Sequence, residues 1–139
     1  MINKSLMAFL CITLSTTVFS YEKTGRIGPW DEISPGEGTR CARDTPFSFF
    51  ISKGTTPKVI IDFMGGGACW NDFTCSRETA TFIDSIEYVR ERQKSGLTGI
   101  YDRNDPRNPF KDWSHIIIPY CTGDIHWGDN TTSYNNSIN

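Results

Sequence analysis

Three consecutive glycines, Gly65, Gly66 and Gly67, end the apolar run at 59–64, and Cys69, Trp70 and Cys75 follow within ten residues. Glycine leaves the backbone N–H uncovered. At the carboxyl edge of an α/β sheet, where ligands bind, uncovered amides can hold the negative oxygen that develops as an ester carbonyl is attacked. In lipases and esterases a Gly-rich loop after a strand supplies one such donor. On that reading amides of the three glycines serve an oxyanion hole, with Gly65 bordering the pocket. The plainer alternative is a tight turn that only glycine allows. Phosphate cradles do not fit: there is no G-x-x-x-x-G-K-[ST], and the glycines are not spread as G-x-G-x-x-G.

Cysteine chemistry is a rival. "GGACW" at 66–70 matches the C-G-[SA]-C-[WY] signature of papain-like proteases at all but its first position, making Cys69 a possible nucleophile. Phe63, however, stands where that family carries an oxyanion-hole glutamine, and a disulfide to Cys75 would remove the thiolate. A zinc site lacks material, with no C-x-x-C pair and His115 and His126 as the two histidines. His115 opens a strand and reads as structural; His126 lies nearer the glycines. "DRNDPRNP" at 102–109 alternates oxygen ligands but lacks the glycine and final glutamate of a calcium loop. Neither a metal nor a cofactor is expected. Of four tryptophans, Trp70 and Trp127 fall in the pocket region and could stack on sugar rings, while Trp30 and Trp113 read as packing residues. A small secreted carbohydrate-binding module using exposed tryptophans is therefore a second functional class.

The elements that must position these groups fit one domain of 139 residues. A net charge of −2 without a basic stripe argues against nucleic acid. Lys4, the apolar run at 6–14 and the small residues before position 21 form a secretory leader over residues 1–20. That run is shorter than the roughly 20 apolar residues of a membrane span, so no membrane association is expected after cleavage. Leu10 before Cys11 is too large for lipoprotein processing. The mature chain, 21–139, would be secreted or periplasmic. It keeps Cys41, Cys69, Cys75 and Cys121, which in an oxidising compartment imply two disulfides in one of three pairings. Cys69 and Cys75 are close enough for a local staple.

Residues 22–41, rich in Gly, Pro and charge, predict a loop-like entry. Residues 46–52 and 58–64 read as strands joined as a hairpin, the second one interior because it is apolar on both faces apart from Asp62. Apolar spacing predicts a helix over 77–94, ended by Gly96. After a long Asp/Asn/Pro loop, 114–121 is another buried strand. Strand, helix and strand form the βαβ pattern of a parallel sheet. Asn130-Thr131-Thr132 and Asn135-Asn136-Ser137 fit glycosylation sequons.

"GGGACW" and "GIYDRNDPRNPFKDWSHIIIPYCTGDIHWGDN" at 99–130 together resemble the pectin acetylesterase/Notum family of secreted serine esterases, in its bacterial branch. The resemblance covers about residues 41–130. It implies the N-terminal part of an α/β-hydrolase fold, a mostly parallel sheet flanked by helices. It also implies hydrolysis of carboxylic esters, either acetyl groups on a polysaccharide or a fatty acyl group on a secreted protein. It pairs Cys69 with Cys75 and Cys41 with Cys121, and it puts Gly66 and Gly67 where the family has its oxyanion amides. The nucleophile elbow G-x-S-x-G is absent, since no serine here has glycine two positions before it. The segment 21–139 is thus expected to be a partial domain without the Ser/Asp/His triad, inactive by itself, and to leave one sheet face exposed around strands such as "HIIIPY".

Overall fold

Burial alternates strictly along "SHIII", with His115 and Ile117 inside, and this strand becomes the one that organises the sheet. The computed structural model describes residues 21–27 and 29–134; the expected leader at 1–20 and the sequon at 135–137 lie outside them. The strands are β1 (Glu22–Ile27), β2 (Trp30–Ser34), β3 (Phe49–Ser52), β4 (Val59–Phe63) and β5 (Ser114–Ile118). Between β4 and β5 come a one-turn helix α1 (Asp72–Cys75), the helix α2 (Glu87–Ser95) and a 3-10 turn at Gly99–Tyr101. The sheet order is β1-β2-β3-β5-β4. β4 and β5 run parallel, and the other pairs are antiparallel. This is a mixed α/β sheet with the expected parallel crossover through α2.

Four expectations are corrected. Residues 22–41 are not a loop throughout: 22–34 form the β1–β2 hairpin, in which Lys23 meets Asp31 across the pair at 2.7 Å. β3 and β4 do not form a hairpin, because β5 lies between them and bonds to both. β4 is therefore not interior but at the margin of this sheet. The helix is confined to 87–95, because 81–83 bonds elsewhere: the Ile83 N–H donates to the Gly66 carbonyl at 2.7 Å, and Phe82 bridges Gly67. Threonines at 79 and 81 favour that outcome, since β-branched residues lose rotamer freedom in a helix. Gly96 does end the helix, at φ 87° with its N–H on the Gln93 carbonyl.

One sheet face carries the core. Trp30, Phe50 and Ile117 pack with Val89 of α2, and Met64, Leu97 and Tyr101 close over them. The buried Glu32 carboxylate receives Arg90 of α2 through Nη2 at 2.5 Å and Nε at 3.2 Å. A paired, hydrogen-bonded charge is the form in which burial is tolerated, and here it ties helix to sheet. Asp62, whose partner the sequence leaves open, accepts the Tyr101 hydroxyl. Burial first, then this hydrogen bond, hold the Tyr101 phenol well above its ordinary range. The other face of β4 presents Val59, Ile61 (52% exposed) and Phe63 (64%). An uncovered apolar face was expected, but it falls on β4 rather than on "HIIIPY", whose His115, Ile117, Pro119 and Tyr120 are buried.

Two disulfides complete the frame: Cys41–Cys121 and Cys69–Cys75, each with Cα atoms 5.0 Å apart. The first sits in a second core with Phe47 and Ile86.

Candidate functional site

β4 and β5 end side by side, the Met64 N–H donating to the Ile118 carbonyl at 3.1 Å. Their continuations, 64–70 and 119–128, form the carboxyl rim of the parallel pair. Cys69 N–H donates to the Gly123 carbonyl at 2.9 Å and joins the two stretches. The three glycines differ in what they do there. A side chain on Gly66 would collide with the Tyr120 ring, and one on Gly67, at φ 84°, with the Thr81 carbonyl. Gly65 has open space where a Cβ would stand.

The loop is held at alternate carbonyls and at its two ends. Met64 C=O accepts His126 Nε2 at 2.9 Å, Gly66 C=O accepts the Ile83 N–H, and Ala68 C=O accepts the Thr81 hydroxyl at 2.6 Å. Among the described residues, the N–H groups of Gly65, Gly66 and Gly67 have no acceptor. The loop is gripped through those carbonyls and through the amides of Met64, Cys69 and Trp70, while the amides of its three glycines stay open, as anion recognition by backbone requires.

The facing stretch is braced by Asp124. Its carboxylate accepts the Thr122 hydroxyl, the His126 N–H at 3.1 Å and the Gly128 N–H at 3.0 Å. Burial alone would raise its pKa, but these donors outweigh it and hold the carboxyl below the usual range. The native value lies below the unfolded one, so this brace contributes fully above about pH 4. It is lost as pH falls through the native value. Acid titration followed by amide NMR is therefore expected to move the His126 and Gly128 resonances together below about pH 4, and Asp124→Asn should abolish that joint shift. Gly128 amide shifts that persist in Asp124→Asn would contradict the brace.

The predicted residues are distributed as follows. Trp70 (67% exposed) and Trp127 (92%) stand open on the rim's two stretches, with Phe63, Phe73 and Ile125 also exposed. Trp30 is buried against Tyr101, and Trp113 packs edge-on against Phe110. His115 is internal, giving Nε2–H to the Phe110 carbonyl at 3.0 Å. Burial depresses its imidazole, against that hydrogen bond and with the Arg103 charge assisting. Arg103 reaches the Ser52 hydroxyl and the carbonyls of Ser52, Lys111 and Trp113, so the 102–113 loop is a fixed connector. Cys69 is bonded to Cys75, which overturns the papain-like reading, because a disulfide sulfur is no thiolate nucleophile.

The part His126 takes in the rim, through the Met64 carbonyl, is not displayed by the sequence. The available signal was the spacing Asp124-Ile125-His126 between Gly123 and Gly128, a setting in which a carboxylate caps the backbone that follows it.

Residues 32–139 match the family model described as pectinacetylesterase. The chain is 30% identical over 93 residues to the palmitoleoyl-protein carboxylesterase NOTUM of Schmidtea mediterranea, covering 64% of this chain and 18% of that relative. The chain thus spans about a fifth of the length of the curated relative it matches. No solved structure matches.

Proposed function

Because the chain belongs to the pectinacetylesterase family, we propose that it forms the N-terminal part of an α/β-hydrolase carboxylesterase and supplies that enzyme's oxyanion loop. Residues 21–139 make up that partial domain, behind a secretory leader at 1–20. The substrate is a carboxylic ester, with acetyl esters of a polysaccharide as the leading class. A serine contributed beyond this segment attacks the carbonyl carbon, and its proton passes to a base. The C=O pair moves onto oxygen, and the N–H groups of Gly66 and Gly67 hold that charge. Collapse expels the alcohol with the proton, and water then releases the acid from the acyl-serine by the same route.

One observation carries this reading: the loop's carbonyls at 64, 66 and 68 are engaged, while the amides of Gly65–Gly67 face no acceptor among the described residues. The open Trp70 and Trp127 rings suit stacking on sugar rings, and they also favour a second reading, polysaccharide binding without turnover.

The test joins this segment to a downstream chain bearing the G-x-S-x-G serine and follows p-nitrophenyl acetate. A p-nitrophenol burst is expected, with kcat falling about 100-fold or more when the oxyanion amides are displaced by Gly66→Val. Turnover indifferent to that replacement would remove the oxyanion assignment. Retention on acetylated polysaccharide with no turnover would leave the binding reading in its place.

A further inference from the structure

We infer that His126 is a positioning residue for the glycine loop, aiming the Gly65 N–H as an additional oxyanion donor; this rests on the esterase reading above. A trans peptide is planar, with C=O and the following N–H pointing in opposite directions. Holding one end of the plane aims the other. His126 Nε2 lies 2.9 Å from the Met64 oxygen, and a carbonyl only accepts, so the proton is on Nε2. The peptide thus clamped is the one that carries the Gly65 N–H. The Ile83 N–H does the same for the Gly66–Gly67 peptide through the Gly66 oxygen.

Four further observations mark the clamp as built. The imidazole, on the exposed rim, contacts two rings edge-on, Phe63 at 5.6 Å and Tyr120 at 5.0 Å between centroids. The backbone that delivers it adopts positive φ at two non-glycine residues, Ile125 (60°) and His126 (59°). β-branched isoleucine is especially disfavoured there, and such strain persists only where the surroundings over-determine it. Asp124 holds the His126 N–H, and the Tyr120 hydroxyl accepts the Ile125 N–H at 2.9 Å. Finally, Gly66 and Gly67 are glycines for reasons of space and conformation, but Gly65 is not: its Cβ would meet nothing within 4 Å, and its φ lies outside the left-handed region. A missing side chain that the fold does not require keeps the space before the amide clear.

The test needs no serine. Acetate, the acid an acetyl ester would release, is titrated into the 15N-labelled chain and the amide resonances of residues 65–67 are followed. In the native chain all three are expected to shift together. His126→Phe keeps an aromatic ring between Phe63 and Tyr120 but has no donor; the Gly65 response should weaken about ten-fold, the worth of one charge-assisted hydrogen bond, while Gly67 still responds. His126→Gln, which can donate from Nε2, should restore the Gly65 response. An undiminished Gly65 response in His126→Phe, with Gly67 also responding, would overturn the positioning role and leave the oxyanion loop standing. No glycine response in the native chain would instead sink the oxyanion reading. Should His126→Phe fail to fold, the native imidazole decides: 15N shifts showing the proton on Nδ1 would overturn the clamp, and Nε2–H together with rescue by His126→Gln would support it.

Discussion

Gly67→Ala is expected to lower stability by about 3 kcal/mol, seen as a fall in the urea midpoint at unchanged slope. Two costs add. A non-glycine residue at φ 84° is strained by roughly 1–2 kcal/mol. The new Cβ would also run into the Thr81 carbonyl, a main-chain group that cannot rotate aside. Relief requires parting the loop from 81–83, on the scale of overpacking, about 1–3 kcal/mol. Separation there would break the Ile83-to-Gly66 and Thr81-to-Ala68 hydrogen bonds that grip the loop. Gly65→Ala is the control, expected to change stability by less than about 1 kcal/mol, because its space is open and alanine restricts the unfolded chain. A Gly67→Ala variant as stable as Gly65→Ala would mean that 81–83 does not hold the loop.

The larger effect belongs to Cys41–Cys121. The bridge spans 80 residues, and on the chain-entropy account such a loop contributes about 4–5 kcal/mol. The Cys69–Cys75 bridge, spanning 6 residues, contributes about 2 on the same scale. Single domains retain about 5–15 kcal/mol in total. The double variant Cys41→Ala/Cys121→Ala should therefore be largely unfolded or close to it in native buffer, while Cys69→Ala/Cys75→Ala stays folded. Urea unfolding by circular dichroism, compared with the oxidised parent, measures both. A loss below about 1 kcal/mol for the long bridge would show that the denatured chain is already held compact without it.

How much of this was legible in the sequence depends on the range of the interaction. β4, β5, the parallel crossover and the Gly96 stop rest on local apolar runs and one glycine, and the sequence displays them directly. His115 reads as structural for the same reason, standing at the head of an apolar run. The strand order is another matter. Residues 49–52 and 59–63 are neighbours in the chain, and a hairpin is the local solution; β5 wins the place between them because its apolar Ile116 and Ile117 meet Ile51 and Phe50 on one side and Ile61 and Asp62 on the other. Apolar spacing extends the helix over 77–94 because it carries no sign that Phe82 and Ile83 are taken by the glycine loop. β1 and β2 are hidden in the sequence because their charges, Lys23, Asp31 and Glu32, resemble a loop until each finds a partner on another element or strand. In the site, the glycines were visible as a motif. What grips them was not, since His126 and Met64 lie 62 positions apart.

The place of β5 also governs timing. Its partner β3 begins 65 positions earlier (Phe49 against Ser114), and β4 bonds within this sheet to β5 alone. The β4 margin therefore has no scaffold until the chain has been made as far as residue 118, and the crossover must close before any pairing on that side is rewarded. Zippering outward from a turn, which serves β1 and β2, is not open to it. Assembly of this half of the sheet is governed by diffusion of distant segments toward each other, a high-contact-order search and correspondingly slow.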